Sequence, residues 1–539
     1  MQTLVRPRLR GMAATPRAAA AGILALACVF WAPGGAGAVT PSSAAADPHG
    51  WTVYHQNRAG TGVAPSVTAV NTRTRAWTSP ALDGSIYGEP LVYARRVYVA
   101  TENDTVYALS SATGRLVWSR HLGRPVPQSS LPCGDIGPTV GITGTPVIDP
   151  SRGEIFVVAD ELVRGRPAHM LVGLATASGR TEITRDVDPP GADPAALLQR
   201  TGLTLDAGRV VFGMGGNYGD CGSYRGRVEA VPETARGRPV VFTVDAAPGE
   251  SQGAVWMGGA APVVDSSGHV WVTVGNGSVT SASHTYDHSD SVLELSPTMR
   301  LLQFFAPRTW ASDNAQDADM STAPALLPGG QVIASGKSRT VYLLNGAHLG
   351  GIGHQETALR SACNDVIDGG SAVVGTTVYL PCLSGVIAVR VAQSPSALRL
   401  LWSSGTGGGP PIIAAGLIWT IGQNGILYGL SPAAGTVRQQ ASIGVPANHF
   451  PTPSVGDGLL LAPSARNVVA FGSGSGGAAP ASPVPALAPA SASPPSSQPA
   501  PPGGGGLAPG AIAGIVVAGL AVTGGAGWLL RRRRMTRDN

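Results

Sequence analysis

The chain has 539 residues, of which 43% are hydrophobic and 13% are charged, so it can bury a large core and is not a charged disordered protein. Part of its net charge of +5 comes from arginines close to the two termini. No nucleic-acid-binding motif is present, and we expect no nucleic-acid partner.

The N-terminal segment has the pattern of a secretory signal peptide. Three arginines, Arg6, Arg8 and Arg10, precede an apolar run over residues 18–31, and small residues follow at 36–38. A basic flank, a short apolar core and a small-x-small site together predict cleavage, so we assign the signal peptide to residues 1–38. An uncleaved N-terminal anchor is the alternative.

Residues 47–473 form a repetitive region that predicts one all-β domain. Units of about 40 residues recur, and seven of them open with small residues or proline before an apolar strand, at positions 88, 144, 260, 323, 370, 410 and 451. Four short strands per unit, with little helical periodicity, are typical of a β-propeller blade. We predict about eight four-stranded blades, with an array of β-sandwiches as the alternative.

The last unit lacks an outer strand, which indicates how the ring closes. The unit ends near Phe471, and the segment 75–78 at the start of the domain has no unit of its own. We therefore expect this N-terminal strand to complete the last blade.

Four cysteines remain after removal of the signal peptide, an even number that favours disulfides in an exported protein. Three pairings are possible. Because Cys363 and Cys382 are close in sequence, we expect them to pair with each other, which leaves Cys133 to pair with Cys221.

The C-terminal part predicts a stalk and a membrane anchor. Residues 474–506 are almost entirely Gly, Ala, Pro and Ser, a composition that cannot bury enough surface to fold. Residues 507–530 include an uncharged run long enough to span a bilayer as a single transmembrane helix, and the basic tail 531–539 follows. Because basic residues stay on the cytoplasmic side, we expect an extracellular propeller and a cytoplasmic C-terminus at the cell membrane.

One element of the repeat resembles a known superfamily. Residues 106–118 read Val-Tyr-Ala-Leu-Ser-Ser-Ala-Thr-Gly-Arg-Leu-Val-Trp, and this stretch resembles the repeat of the pyrroloquinoline-quinone (PQQ) propellers. That superfamily includes quinoprotein alcohol dehydrogenases and non-catalytic relatives. The resemblance covers most of residues 51–471 and implies the PQQ-like propeller fold, but it does not determine an activity.

The same resemblance implies a set of site residues. Asn276, in a Gly-Asn turn, and Asp220 stand where the enzymes bind Ca²⁺; Asp317 or Asp319 stands where they carry a catalytic base; and Lys337, the only lysine of the chain, looks like the residue that contacts the quinone. The chemistry is consistent, since Ca²⁺ prefers oxygen ligands and a carboxylate can accept the proton of an alcohol. We expect Lys337 to lie in this site and not in the core.

The chain also departs from the enzymes of this superfamily. It has no adjacent cysteine pair, it offers Asp220 in place of a glutamate ligand, and no tryptophan stands out as a stacking platform. The alternative interpretation is that these Asn and Asp residues only shape turns. A further candidate metal site, or a solvated loop, is formed by His284, Asp287, His288 and Asp290.

These observations favour a binding or scaffold module that recognises a protein or a cell-wall ligand, with no assured cofactor. The alternative is a dehydrogenase that uses PQQ and Ca²⁺ to oxidise an alcohol or sugar. An apolar or plugged central channel would favour the first function, and carboxylates that converge with Lys337 would favour the second.

Overall fold

A computed structural model describes residues 50–64, 67–234, 236–244 and 249–473. Within them the chain forms eight antiparallel sheets arranged as the blades of a propeller. Strands in the first four blades, from the innermost outwards, are Leu91–Tyr93, Arg96–Thr101, Thr105–Ser110 and Leu116–His121; Val147–Asp149, Glu154–Val163, Arg166–Ala175 and Thr181–Asp186; Thr204–Asp206, Arg209–Gly216, Arg227–Pro232 and Val240–Thr243; Val263–Val264, Val270–Val274, Ser291–Leu295 and Leu301–Ala306.

The second half of the ring repeats this plan. Strands in blades 5 to 8 are Ala325–Leu326, Gln331–Ala334, Val341–Asn345 and Thr357–Leu359; Ala372–Val374, Thr377–Cys382, Gly385–Gln393 and Ser396–Ser403; Ile412–Ala414, Leu417–Ile421, Ile426–Leu430 and Val437–Ser442; Ser454–Gly456, Leu459–Ser464, Asn467–Phe471 and Trp77–Thr78. Short additional elements are the strands Val63–Ala64, Val126–Pro127, Thr139–Val140, Leu197–Leu198 and Gly351–Ile352, the 3-10 turns Gln128–Ser130, Pro194–Ala196 and Met257–Gly259, and the α-helix Trp310–Gln316.

The burial pattern explains why these segments form blades. The second strand Arg96–Thr101 is buried along nearly its whole length, whereas the outer strand Leu116–His121 is mostly exposed. A strand whose two faces are both packed against neighbouring sheets must be apolar along its whole length. An outer strand that faces solvent can carry polar side chains. The prediction of eight four-stranded blades is confirmed. The blade whose opening was not recognised in the sequence is blade 3, which begins at Thr204.

Neighbouring blades are joined by a repeated tryptophan contact. The indole N–H groups of Trp77, Trp118 and Trp402 donate to backbone carbonyls of Ser111, Thr176 and Pro432 in the next blade, at 2.8, 2.9 and 3.0 Å. Each indole ring packs against a glycine in the turn that accepts its hydrogen bond, and any side chain at that glycine would collide with the ring. The Ala-Thr-Gly and Trp parts of the repeat therefore meet between blades.

The ring closes by the predicted strand exchange. Trp77 and Thr78 pair with Ala470 and Val469, so the start of the domain supplies the outer strand of blade 8. This pairing leaves no blade incomplete and confirms the sequence-based prediction.

The chain that precedes this strand fills the central channel. Trp51 pairs with Val92 of blade 1, and Val63 and Ala64 run parallel to the inner strand of blade 7. Between them, Tyr54 and His55 are stacked at 4.3 Å and are almost completely buried. We call residues 50–64 the channel plug.

The plug is bonded to the blades through polar groups. The backbone N–H of His55 donates to Glu89 at 2.9 Å, and the Gly370 N–H donates to the Tyr54 hydroxyl at 3.2 Å. The inner strands of blades 4 and 6 also donate backbone N–H groups to carbonyls of the plug, from Val264 and Val373. The channel is thus filled by the chain itself at this level.

Both predicted disulfides are formed. Cys133 pairs with Cys221 at a Cα–Cα distance of 5.8 Å, and Cys363 pairs with Cys382 at 6.1 Å. The predicted signal peptide at 1–38, stalk at 474–506, transmembrane helix at 507–530 and tail at 531–539 lie outside the described residues. Nowhere in the described part of the chain does a helix have the length and apolar character needed to cross a membrane.

Candidate functional site

The predicted site residues come together at one end of the propeller. Asn276 and Lys337 follow the second strands of blades 4 and 5, while Asp317 and Asp319 precede the first strand of blade 5. Because the first two strands of a blade are antiparallel, the end of one lies beside the start of the other. We call this end of the ring the channel mouth.

A glycine allows the two halves of this site to approach each other. Gly336 bridges to Met320, and the backbone N–H of Lys337 donates to the Asp319 carbonyl at 2.8 Å. A Cβ atom at position 336 would collide with that carbonyl. Glycine at position 336 is therefore required for the close approach of the two segments that carry Lys337 and Asp319.

One ammonium group joins two carboxylates. Lys337 Nζ lies 2.9 Å from Asp317 Oδ1 and 2.5 Å from Asp319 Oδ2. Asn276 donates through Nδ2 to Asp317 at 2.8 Å and through its backbone N–H to Asp319 at 2.6 Å. The predicted residues Asn276, Asp317, Asp319 and Lys337 thus form a single hydrogen-bonded cluster.

The charge state of Lys337 follows from these contacts. Burial disfavours the charged ammonium, but the Asp319 and Asp317 carboxylates outweigh it and raise the pKa of Lys337 above its usual value. Lys337 therefore stays protonated at neutral pH.

Two further buried acids lie behind this cluster. Burial raises the pKa of Asp368 to about 7 and that of Asp290 well above its usual value, and the Asp319 carboxylate adds to both shifts. Ser321 donates its hydroxyl to Asp368, and the Met320 N–H donates to Asp290 at 3.2 Å. The sequence analysis did not identify Asp368 as a site residue, and it assigned Asp290 to the histidine loop instead.

Two other acids, Asp313 and the predicted ligand Asp220, lie apart from the cluster or at its edge. Asp313 is in the helix Trp310–Gln316, where it accepts the Thr309 hydroxyl at 2.7 Å. Asp220, on the loop held by the Cys133–Cys221 disulfide, accepts the Tyr224 hydroxyl at 2.6 Å, and the charges of Asp317 and Asp319 reach it.

The proposed histidine loop does not form a metal cluster in the structure. Asp287 accepts hydrogen bonds from Ser289, while the His288 ring packs at 5.4 Å from both Tyr286 and Phe304. In the described part of the chain, a group of donors close enough to hold a metal ion is found elsewhere, at Asp265, His269 and Glu294.

A tryptophan that the sequence analysis missed lies directly over the lysine. The Trp256 ring centre is 5.2 Å from Lys337 Nζ and 5.9 Å from the ring centre of Phe450. No tryptophan stood out as a platform in the sequence, because Trp256 belongs to an irregular segment before blade 4 and matches no repeat position. Trp256 and Phe450 come from opposite blades of the ring and meet across the mouth.

Arg200 packs against aromatic rings of the channel mouth. Its guanidinium lies 5.7 Å from the Tyr87 ring and 5.5 Å from the Phe450 ring, and the residue is only 9% exposed. Within the described ranges it forms no salt bridge, and the acidic residues whose charges act on it are Glu102 and Asp135. Arg200 was also missed, because a single arginine before a strand carries no pattern.

The donor set does not fit a resident Ca²⁺ ion. Calcium needs six to eight oxygen ligands, but Lys337 already binds one oxygen of each of the Asp317 and Asp319 carboxylates. Two buried oxygens here have no hydrogen-bond partner, Asn276 Oδ1 and, behind the cluster, Asp290 Oδ2, which is fewer than the ion needs. A lysine therefore supplies the cationic partner of the two carboxylates.

Sequence comparison gives one family match. A profile described as "Outer membrane protein assembly factor BamB" matches residues 45–282, which is less than half of the chain. No curated protein matches the sequence significantly.

Solved structures share the fold at low sequence identity. A quinohemoprotein alcohol dehydrogenase from Pseudomonas putida HK5 has a TM-score of 0.58 and 14% identity, and the match covers 82% of both chains. The quinohemoprotein alcohol dehydrogenase from Comamonas testosteroni has a TM-score of 0.56 and 16% identity, covering 78% of this chain and 80% of that one. A europium-containing methanol dehydrogenase has a TM-score of 0.55 and 15% identity, covering 77% and 89%.

Proposed function

The chain has the PQQ-like β-propeller fold, and from this premise we propose that it is an extracytoplasmic binding module that recognises a carboxylate-bearing partner at the channel mouth. The matched profile describes an assembly factor and the similar structures are dehydrogenases. Because a fold alone does not determine function, the argument rests on the residues of the mouth.

Arg200 is the observation that carries this proposal. The Arg200 residue is only 9% exposed and its guanidinium forms no salt bridge among the described residues, so a ligand carboxylate would supply the charge partner that the protein does not. Arginine is well suited to binding carboxylates, since its planar fork donates two parallel hydrogen bonds. The rings of Tyr87, Trp256 and Phe450 give the mouth apolar surface around this donor.

Two features support binding over catalysis. The channel plug occupies the ring below the mouth, and Lys337 is already paired with Asp317 and Asp319, so neither carboxylate is a free general base. The partner is a protein or a cell-wall component that presents a carboxylate.

The proposed location rests on the sequence segments outside the described residues. The predicted signal peptide, the predicted stalk and the predicted transmembrane helix with its following arginines support a propeller outside the cell and a C-terminus inside. On intact cells, added protease should release the propeller and spare a tag at Asn539; an externally accessible tag contradicts this topology.

The binding function is tested with small aromatic carboxylates as probes. Titration calorimetry on the full chain should show saturable binding of benzoate-type anions and none of the matching amides. Arg200→Gln should weaken this binding by at least about tenfold, the effect of losing a charge-assisted pair. Arg399→Gln, on the exposed outer strand of blade 6, is the control and should bind like the unaltered chain.

The second candidate function is quinone-dependent oxidation of an alcohol. It is favoured by the convergence of Asn276, Asp319 and Lys337 beside Trp256. Adding PQQ and Ca²⁺ to the full chain with an alcohol and a redox dye separates the two functions. We expect no dye reduction, and alcohol-dependent reduction that Lys337→Ala abolishes would replace the binding function with the enzymatic one.

A further inference from the structure

A second cluster of chemically active side chains lies at the end of blade 4 opposite the channel mouth. Asp265 and His269 belong to the turn between the first two strands of this blade, and Glu294 lies on its third strand beside Trp271. His269 Nδ1 is 2.6 Å from Glu294 Oε1 and 3.8 Å from Asp265 Oδ2. The donor atoms of the three side chains all lie within 4.8 Å of one another.

These distances are close to those of a metal site. Two ligands of a tetrahedral Zn²⁺ lie roughly 3.3 Å apart, given metal–ligand bonds of about 2.0–2.1 Å. The two separations in the structure lie on either side of this value, and a bound ion would replace the direct hydrogen bond between His269 and Glu294. One imidazole and two carboxylates are ligands that Zn²⁺ accepts.

Both carboxylates are held in place by other groups. Asp265 Oδ1 accepts the backbone N–H groups of Ser267 and His269 at 2.7 and 3.0 Å, and Oδ2 accepts the Trp271 indole at 3.0 Å. Glu294 Oε2 accepts the Gln303 amide at 2.5 Å. Hydrogen bonds of this kind orient the ligands of metal sites in proteins.

The cluster opens to solvent on one side. Glu294 is 9% exposed, Asp265 21% and His269 33%, so the acids lie deeper than the imidazole. A groove of about 850 Å³ runs past His269 and Glu294, between the outer strand of blade 4 and the turn at 346–351 of blade 5. A bound ion would have three protein ligands and a fourth position facing this groove.

We propose that Asp265, His269 and Glu294 bind a divalent transition metal, with Zn²⁺ as the fitting ion, and leave one coordination position open to the groove. This site is independent of the carboxylate-binding mouth. The open position takes a water molecule or a donor atom of a ligand in the groove, as in zinc sites that have three protein ligands.

The test is metal titration of the full chain after treatment with a chelator. Zn²⁺ should bind with one tight equivalent by calorimetry, and Co²⁺ should give the visible absorption of a four-coordinate ion. His269→Asn and Glu294→Gln should each weaken the affinity by at least about 100-fold, because each removes one of three ligands.

The matched control is His284→Asn, which removes an exposed histidine elsewhere in blade 4. Its Zn²⁺ affinity should equal that of the unaltered chain, and thermal unfolding of the metal-free variants should show that all of them are folded. Absence of a tight equivalent, or equal affinity in His269→Asn, overturns the proposal. Loss of binding in the folded His284→Asn variant also overturns it, in favour of the histidine loop.

Discussion

At the residue scale, Lys337 determines whether the mouth is a structural or a reactive site. Its ammonium group bonds to both Asp317 and Asp319, and the backbone N–H of Asn276 holds the second of these carboxylates. Lys337 lies in the mouth cluster and is paired with an acid that is only 7% exposed, so it also has a structural role.

Replacing Lys337 with Ala should reduce the free energy of unfolding by about 2 kcal/mol. Removing one partner of a fully buried pair costs about 3–5 kcal/mol, and the cost is lower here because the Lys337 side chain is 24% exposed. Urea unfolding measures the change. The double variant Lys337→Met with Asp319→Asn removes the charge and its partner together, so it should recover part of the loss.

If Lys337→Ala unfolds at the same urea concentration as the unaltered chain, Lys337 has no structural role. The cluster would then not contribute to the stability of the fold, and this result would support the second candidate function, quinone-dependent oxidation of an alcohol.

At the scale of the element, the blades depend on contacts that repeat around the ring. Trp77 is 8% exposed, donates to Ser111 of blade 1 and lies on the strand that completes blade 8. One residue thus links the first blade to the last. Sheet edges exposed by a failure of this closure would favour aggregation.

Trp77→Ala should lower the free energy of unfolding by about 3 kcal/mol, the usual cost of deleting a large buried aromatic side chain. Thr78→Ala is a matched control, because Thr78 is on the same strand and its side chain is exposed. Thermal unfolding and light scattering should show a lower melting temperature and aggregation for Trp77→Ala alone. Equal melting of the two variants would show that this strand does not hold the ring closed.

At the scale of the whole molecule, several acids are buried within the ring of blades. Burial raises the pKa of Glu102, Asp160 and Asp368 to about 7 and that of Glu229 to about 8. The folded chain therefore binds more protons than the unfolded chain between the ordinary pKa of these acids and their raised values. Under that condition stability falls as the pH rises.

We expect the free energy of unfolding to fall between about pH 5 and about pH 8, with each acid contributing up to about 1.4 kcal/mol per pH unit. His169 acts in the same direction, since burial lowers its pKa but Asp160 and Asp188 raise it to about 9. His55 acts in the opposite direction, because burial lowers its pKa to about 4, but it is one group against several.

Urea unfolding across this pH range provides the measurement, and Glu102→Gln is the control because it removes one titrating carboxyl without changing its shape. The slope should be smaller in this variant. Stability that stays constant or rises with pH contradicts the expectation.

Much of the architecture could be predicted from local patterns. The period of the repeat, the missing last strand and the spare segment at 75–78 determined the blade number and the ring closure, because strand alternation and turn residues are properties of neighbouring positions. The same holds for the pairing of Cys363 with Cys382, which are close in sequence. Blade 3, whose first strand is Thr204–Asp206, was the unit without a recognised opening.

The tertiary structure alone decided how the candidate polar residues interact. Asn276 and Lys337 could be selected as candidates, but their common bonding to Asp317 depends on two strands ending side by side. Arg200, Trp256 and Phe450 meet across the ring from different blades, and the plug fills the channel from a segment with no repeat pattern. Contacts between residues far apart in the chain leave no periodic trace, so only the closed ring brings them together.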